Sequence, residues 1–281
     1  MAYQLFTDVT ADIDWKVWTD VHVMPMGVTV GGAEHLYGPG GDLTIEEFYK
    51  ALRAGGQAST SQVTPATVLD SFTPVLERGE DILYLAFSSG LSGTYHAGCV
   101  AAEDLREKYP DRKIYCVDTL AASTMEGVIV ARAARKKAAG MGIDELKSWA
   151  LGQVDSTFCW FTVDDLDSLK RGGRVSPAVA FVGTALQIKP VLDVDEKGGL
   201  RMVGKTRGRQ NALKAVFDHY AENYEQAPDN LIMIGHGDCA QDAKSLADAI
   251  RKKNPKAEII VGPVGPVIAA HAGPGVVVIG F

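Results

Sequence analysis

Two short stretches hold most of the residues that could do chemistry. The stretch from Ser88 to Thr94, "SSGLSGT", carries three serines, a threonine and two glycines, and no charge of either sign. It follows the apolar run "DILYLAF" and precedes a helical pattern. Ser92 stands where a helix N-cap would stand. The first turn then offers unpaired N–H groups from Gly93, Thr94 and Tyr95 at the positive end of the helix dipole. Such a turn holds an anion without a lysine. The second stretch, "ASTSQVTPATV", places Thr60, Ser61, Gln62 and Thr64 just before another helix start. In a parallel α/β layer, strand C-termini and helix N-termini share the edge where ligands collect. Both clusters are therefore expected to line one crevice, suited to a small carboxylate or phosphate head group. The alternative is plain capping, in which a Ser-Gly loop only ends a strand.

Several chemistries lack their residues. A serine-hydrolase elbow, G-x-S-x-G, needs glycine two residues after the serine, and Thr94 stands there after Ser92. No phosphate-binding G-x-x-x-x-G-K-[ST] occurs. "GHGDCA", Gly235 to Ala240, fits G-x-G-x-x-A, but Glu258 precedes the next strand instead of following it, so a dinucleotide site is not supported. His236 and Cys239 are neighbours three apart at a helix start, a spacing common by chance. No His/Asp/Glu cluster has metal-ligand spacing, so neither a metal nor another cofactor is expected. Two basic groups stand in glycine-containing turns, which usually lie at the surface: Lys170, Arg171 and Arg174 in "KRGGR", and Lys205, Arg207 and Arg209 in "KTRGR". They read as solvated charge or as a docking face, where arginine pairs with carboxylates or phosphates in bidentate fashion.

The elements that must position these residues alternate. Strand-like runs include "YQLFTD", "HVMPMGVTV", "DILYLAF", "KIYCVDT", "TFCWFTV", "NLIMIGH" and "GVVVIGF". Helix starts recur between them. Thr44 with Glu47 forms a capping box, and Thr64-Pro65 a cap followed by proline. Ser123 with Glu126 predicts a further cap, and Ser176-Pro177 another helix start. Pro74 predicts a kink in the helix from Thr64. This pattern indicates an α/β protein with a parallel sheet in its first half. Two strands near 189–194 and 200–206 have no helix between them, so the second half should hold a mixed sheet. The boundary falls near 150–156, dividing the chain into 1–153 and 154–281.

Apolar residues make up 46% and charged residues 22% of the 281 residues, as in a soluble globular protein with a sizeable core. The net charge of −7 argues against a general nucleic-acid binder. The start, "MAYQLFTDVTADID", has no basic or long apolar leader region, and no run nears the roughly 18 apolar residues of a membrane span. Cys99, Cys116, Cys159 and Cys239 form no C-x-x-C pair. Three of them lie in apolar patterns and are expected to be buried thiols, which fits a reducing cytoplasm.

The residues also resemble the DegV family. The likeness is carried by "FTDVTADI", "TSQ" at 60–62, "SSGLSGTY" at 88–95, "DDLDSLKRGGRVS" at 164–176, "LQIKPVLDV", "GKTRGR" and "VGPVIAAHAGPGVVVIGF". It spans the whole chain and keeps the family's motif order. It implies an N-terminal three-layer α/β/α parallel sheet and a C-terminal two-layer α/β mixed sheet. It further implies a long-chain fatty acid bound in a tunnel between the domains. The chain would then be a lipid-binding subunit and not a free-standing enzyme. A separate ATP-binding fatty acid kinase subunit would phosphorylate the bound carboxylate, giving an acyl phosphate for phospholipid synthesis. Carried over by motif, Thr60 and Ser92 would contact the carboxylate, with Ser61, Ser89 and His271 beside them. Arg171, Arg174 and Arg207 would dock the partner. The sequence departs from the family pattern at Val9, Val63 and Ala272, which remove hydroxyls or alter a loop. The competing function is a stand-alone small-molecule acyl or phosphoryl transferase using the same crevice.

Overall fold

The computed structural model of the chain describes residues 2–154, 156–164, 166–175 and 187–281. The apolar runs of the first half form the parallel sheet expected of them. Its strands are β1 (Tyr3–Asp8), β2 (Val21–Met24), β6 (Asp81–Ala86) and β7 (Ile114–Asp118), in the order β2-β1-β6-β7. Every residue of β6 is buried, as a strand covered on both faces requires. The cover comes from two helix pairs: α2 (Pro65–Glu77) with α3 (Thr94–Lys108), and α4 (Thr124–Ala138) with α5 (Ile143–Leu151).

A second, mixed sheet has the order β10-β9-β8-β13-β11-β12. It contains β8 (Cys159–Thr162), β9 (Ile188–Val194), β10 (Leu200–Arg207), β11 (Leu231–His236), β12 (Glu258–Pro263) and β13 (Val277–Gly280). The β9–β10 pair is antiparallel, as the missing helix between them predicts. Only β11 and β12 run parallel. Helices α7 (Arg209–Asn223) and α8 (Ala240–Lys253) pack on this sheet. The alternation of β13 divides the apolar interior in two. Val276 and Val278 join the core shared with the parallel sheet, while Val277 and Ile279 join the core under α7 and α8.

Helix α4 touches both sheets, packing on β11 and β13 as well as on α5. All its residues from Thr124 to Ala133 are buried. Its two buried ionisable side chains have partners. Arg132 grips Asp229 through Nε at 3.1 Å and Nη2 at 2.7 Å. Glu126 accepts from the hydroxyls of Thr7 at 3.2 Å and Thr10 at 2.9 Å.

Local signals held where the cap is local. Helix α1 (Ile45–Arg53) has the Thr44–Glu47 box, with Glu47 N–H on Thr44 Oγ1 at 3.2 Å and the return bond at 3.1 Å. Thr64 accepts from Thr67 N–H at 3.2 Å, and Pro65 takes the first helical position. The helix runs to Glu77 through Pro74.

Three expectations are corrected. "HVMPMGVTV" is two strands, because Pro25 has no N–H for a ladder. β3 (Met26–Val30) leaves the parallel sheet and pairs with β4 (Ala33–Tyr37) and β5 (Ala58–Thr60) in a three-stranded antiparallel sheet. The Ser123–Glu126 box does not form. Ser123 has φ 54° and donates its hydroxyl to Asp12 Oδ2 at 2.6 Å, while the Glu126 carboxylate turns to Thr7 and Thr10. Of the cysteines only Cys159 is buried; Cys99, Cys116 and Cys239 are half-buried. The helix start at Ser176-Pro177 lies outside the described residues.

Candidate functional site

A cavity of about 200 Å³ opens between the mixed sheet on one side and, on the other, the three-stranded sheet with loops that follow strands of the parallel sheet. Its walls are largely apolar, with Phe87, Phe161, Leu169, Leu200, Val267 and Val278 among them. Its polar contributors come from separate places in the chain. Thr60 ends β5, Gln62 follows it, and Ser92 and Gly93 precede α3. His271 stands in α9 (Pro266–Ala272), and Arg174 follows α6 (Asp167–Arg171).

Two of these polar groups bond each other, and Arg174 and Ser92 bond the chain beside them. Thr60 Oγ1 lies 2.9 Å from His271 Nε2. Arg174 donates through Nε to the Leu91 carbonyl at 3.2 Å and through Nη1 to the Gly172 carbonyl. Ser92 Oγ accepts from Thr94 N–H at 3.3 Å and lies 3.0 Å from Thr94 Oγ1. The helix begins one residue later than expected, with Gly93 as its N-cap, and a Cβ at 93 would meet the Gln62 amide. The serine still serves the first turn from the position before the cap.

Burial holds the His271 imidazole well below its ordinary pKa, down to about 4, and the Arg174 cation pushes the same way. The ring is therefore neutral at physiological pH. Nδ1 is buried with no hydrogen-bond partner among the described residues. Gly172 sits so close to Nδ1 that a Cβ there would overlap it, which leaves no room for water. A buried N–H without an acceptor costs more than an unused lone pair, so the proton belongs on Nε2. Nε2 then donates to Thr60, and the Thr60 hydroxyl hydrogen is left for a ligand. The cavity thus presents hydroxyl donors, a guanidinium and a neutral imidazole to one group, an arrangement that suits an anionic head on an apolar body.

The close approach of Gly172 predicts a local failure. Gly172→Ala fits the backbone, since φ is −71° and ψ −11°. The whole effect is the collision with His271. Overpacking of this kind costs about 1–3 kcal/mol, and should lower the urea midpoint of the ligand-free protein and shift the His271 ring resonances. An unmoved midpoint with unchanged His271 resonances would show that the ring has room to yield.

The structure brings Thr60, Ser92 and His271 together as expected. Ser61 and Ser89 do not line the cavity. Both are exposed; Ser61 N–H pairs with the Gly27 carbonyl at 3.0 Å, and Ser89 N–H with Asp118 Oδ1 at 3.2 Å. The basic turns also divide. Arg171 and Arg207 are exposed, as expected of surface turns. Arg174 is half-buried and lines the cavity, so the site is not uncharged. Arg209 is taken up by Asp242 at 2.8 Å and Asp164 at 3.7 Å. Ser123, read from the sequence as a cap, is a further lining residue. Among the described residues no helix is long and apolar enough to cross a membrane.

Comparison with known proteins agrees with these features. The sequence matches the DegV family, described as uncharacterised protein, over residues 2–281. It is 39% identical to a DegV domain-containing protein of Clostridium perfringens, covering 99% of this chain and 97% of that one. Its structure is similar to that of a fatty-acid-binding DegV family protein from Thermus thermophilus, with 29% identity, a TM-score of 0.86, and 100% and 99% of the two chains covered. It shares its fold with the Fak B3 protein of fatty acid kinase from Streptococcus pneumoniae, solved loaded with linoleic acid, at 20% identity, a TM-score of 0.87, and 100% and 99% coverage. The fold, the order of the motifs and a match running almost from end to end place this chain in the DegV family.

Proposed function

We propose that this chain binds a long-chain fatty acid in the cavity and presents its carboxylate to a separate ATP-binding kinase subunit. The observation that carries the reading is the union of Thr60, Ser92, Arg174 and His271 on one cavity whose other walls are largely apolar. The elements lining it come from both 1–153 and 154–281, so the proposed domain division puts the cavity at the interface. Each buried methylene contributes about 0.8 kcal/mol, so the tail would dominate affinity and the polar cluster would set orientation. The Thermus relative, with the same fold and 29% identity, supports the ligand class.

Native mass spectrometry of protein purified without added ligand tests the binding. A fatty acid released on denaturation, and calorimetric binding of a long-chain fatty acid to the stripped chain, are expected. Stripped protein that ignores such lipids, or an isolated chain that turns over ATP, would remove the reading.

The arginines separate the two halves of the proposal. Arg174→Ala removes a cation from the head cluster. A hydrogen bond to a charged group contributes about 1.5–3 kcal/mol, so fatty-acid affinity should fall roughly 10- to 150-fold. Arg171→Ala and Arg207→Ala should leave that affinity unchanged, because both side chains are exposed, and should reduce phosphorylation by a cognate kinase subunit. Lipid binding weakened equally by all three changes, with kinase coupling intact, would refute the docking role.

A further inference from the structure

Neither Cys99 nor Cys116 lines the cavity, and the proposed function uses neither. Cys99 stands on α3 and Cys116 on β7, the edge strand of the parallel sheet. Both are partly exposed and reduced. Two contacts hold helix and strand together at this point. Gly98 has no side chain, and a Cβ there would stand 2.9 Å from Tyr84 Cε1 and 3.7 Å from Cys116 Sγ. Cys116 Sγ therefore lies against the helix backbone beside Cys99. Arg106, on the same helix, donates through Nε to the Ile114 carbonyl of β7 at 3.1 Å. The two thiols influence each other's ionisation, and Tyr95, four residues before Cys99, acts on Cys99 as well, which places the three side chains side by side.

We infer that Cys99 and Cys116 form a reversible dithiol–disulfide site, in which Cys99 attacks a peroxide and Cys116 resolves the product. The Cys99 thiolate displaces hydroxide from hydrogen peroxide and becomes a sulfenic acid, its sulfur oxidised by two electrons. The Cys116 sulfur then attacks that sulfenic sulfur. The S–S bond forms, the S–O bond breaks, and the Cys116 proton leaves with the hydroxyl as water. Two thiols and one peroxide give one disulfide and two waters.

The chemistry of the four cysteines fits these roles. The neighbouring Cys116 brings the Cys99 thiol down to about 6, helped by Tyr95, Arg106 and His96, while burial opposes them. A thiolate near neutral pH is the reactive form. Cys116 is displaced upward by the neighbouring Cys99 and by burial, as suits a resolving thiol. Cys159 and Cys239 are driven up by burial, to about 12 and about 11, and stay protonated. A closed disulfide would tie α3, which starts at Thr94, to β7, which ends at Asp118. Ser92 bonds Thr94, and Asp118 holds Ser89 N–H, so the staple would flank the hydroxyl loop.

The test is peroxide treatment of the full chain, followed by intact and peptide mass spectrometry without reductant. The expected product has lost two hydrogens, contains one peptide pair joined through Cys99 and Cys116, and reverts with dithiothreitol. Cys116→Ser should stop at a sulfenic acid on Cys99 that dimedone traps. Cys99→Ser should leave Cys116 unlabelled. Iodoacetamide should alkylate Cys99 of the parent with a midpoint near pH 6. Sulfinic acid at Cys99 with no internal disulfide, disulfide only between two chains, or dimedone capture at Cys116 in Cys99→Ser would each overturn the inference.

Discussion

The double variant Thr60→Ala, Ser92→Ala is expected to stay folded and to bind a long-chain fatty acid roughly 100-fold or more below the parent, about 3 kcal/mol. Each hydroxyl that meets the carboxylate contributes a charge-assisted hydrogen bond of about 1.5–3 kcal/mol. The single variants should therefore each lose roughly 10- to 150-fold. Both hydroxyls would share one carboxylate with Arg174, so the double variant should depart from the product of the two single effects. The fold also loses something. Without Thr60, His271 has no partner on Nε2 at 2.9 Å, and an unpaired buried polar group costs about 1–3 kcal/mol. Without Ser92, Thr94 N–H loses its acceptor, at about 1 kcal/mol. A domain has roughly 5–15 kcal/mol of stability to absorb this. The comparison is calorimetric affinity for the parent, both singles and the double, with circular dichroism as the folding check. Folded variants that bind as tightly as the parent would place the carboxylate elsewhere and leave Ser92 as a helix-end hydroxyl only.

Asp12→Asn is expected to stabilise the protein at mildly alkaline pH and to flatten its dependence of stability on pH. Asp12 sits beside the cavity wall. Its carboxyl accepts from Gly265 N–H at 2.8 Å and from the Ser123 hydroxyl at 2.6 Å. Burial nevertheless raises its pKa to about 7, against those two bonds. An unfolded aspartate ionises near about 3.9, so the folded chain holds a proton that the unfolded chain has lost. Stability is therefore greatest below the unfolded value and falls as pH rises through about 7. About three pH units at 1.36 kcal/mol each give roughly 4 kcal/mol. Asp12 is only partly buried by its surface exposure, and solvent returns part of this, leaving about 2–4 kcal/mol. Asp8 and Glu126, buried and also displaced upward, act in the same direction. Asparagine keeps the acceptor for Gly265 and ionises at no pH. It also tolerates the left-handed backbone at this position, where φ is 50°. Urea midpoints of parent and variant should converge near the unfolded value of about 3.9, separate in favour of the variant as pH rises from there to about 7, and run parallel above it. A parent midpoint that stays level or rises over that interval would mean that Asp12 is ionised in the folded chain, and the reasoning would fail.

Much of this protein could be read along the chain. The caps at Thr44 and Thr64, the parallel alternation of the first half and the β9–β10 hairpin all formed as expected. Each depends on residues close in sequence, or on a strand period that survives any packing. Thr60 and Ser92 could be assigned to one crevice for the same reason, since their helix starts belong to neighbouring βα units. Ser123, Arg174 and β5 were decided only by the tertiary structure. The cap at Ser123 lost to a longer-range competitor: Asp12, over a hundred residues away, offered its hydroxyl a charged acceptor, and Glu126 found two buried hydroxyls. The three residues of β5 carry too little pattern to announce a strand, and exist because β3 turned away at Pro25 and exposed an edge. Arg174 reads as surface charge from its glycine-rich turn. The fold carries it inward, where the carbonyls of Leu91 and Gly172 accept its protons and His271 stands beside it. Local sequence specifies which groups can bond, but burial sets which bonds must be made, and burial depends on every element that packs.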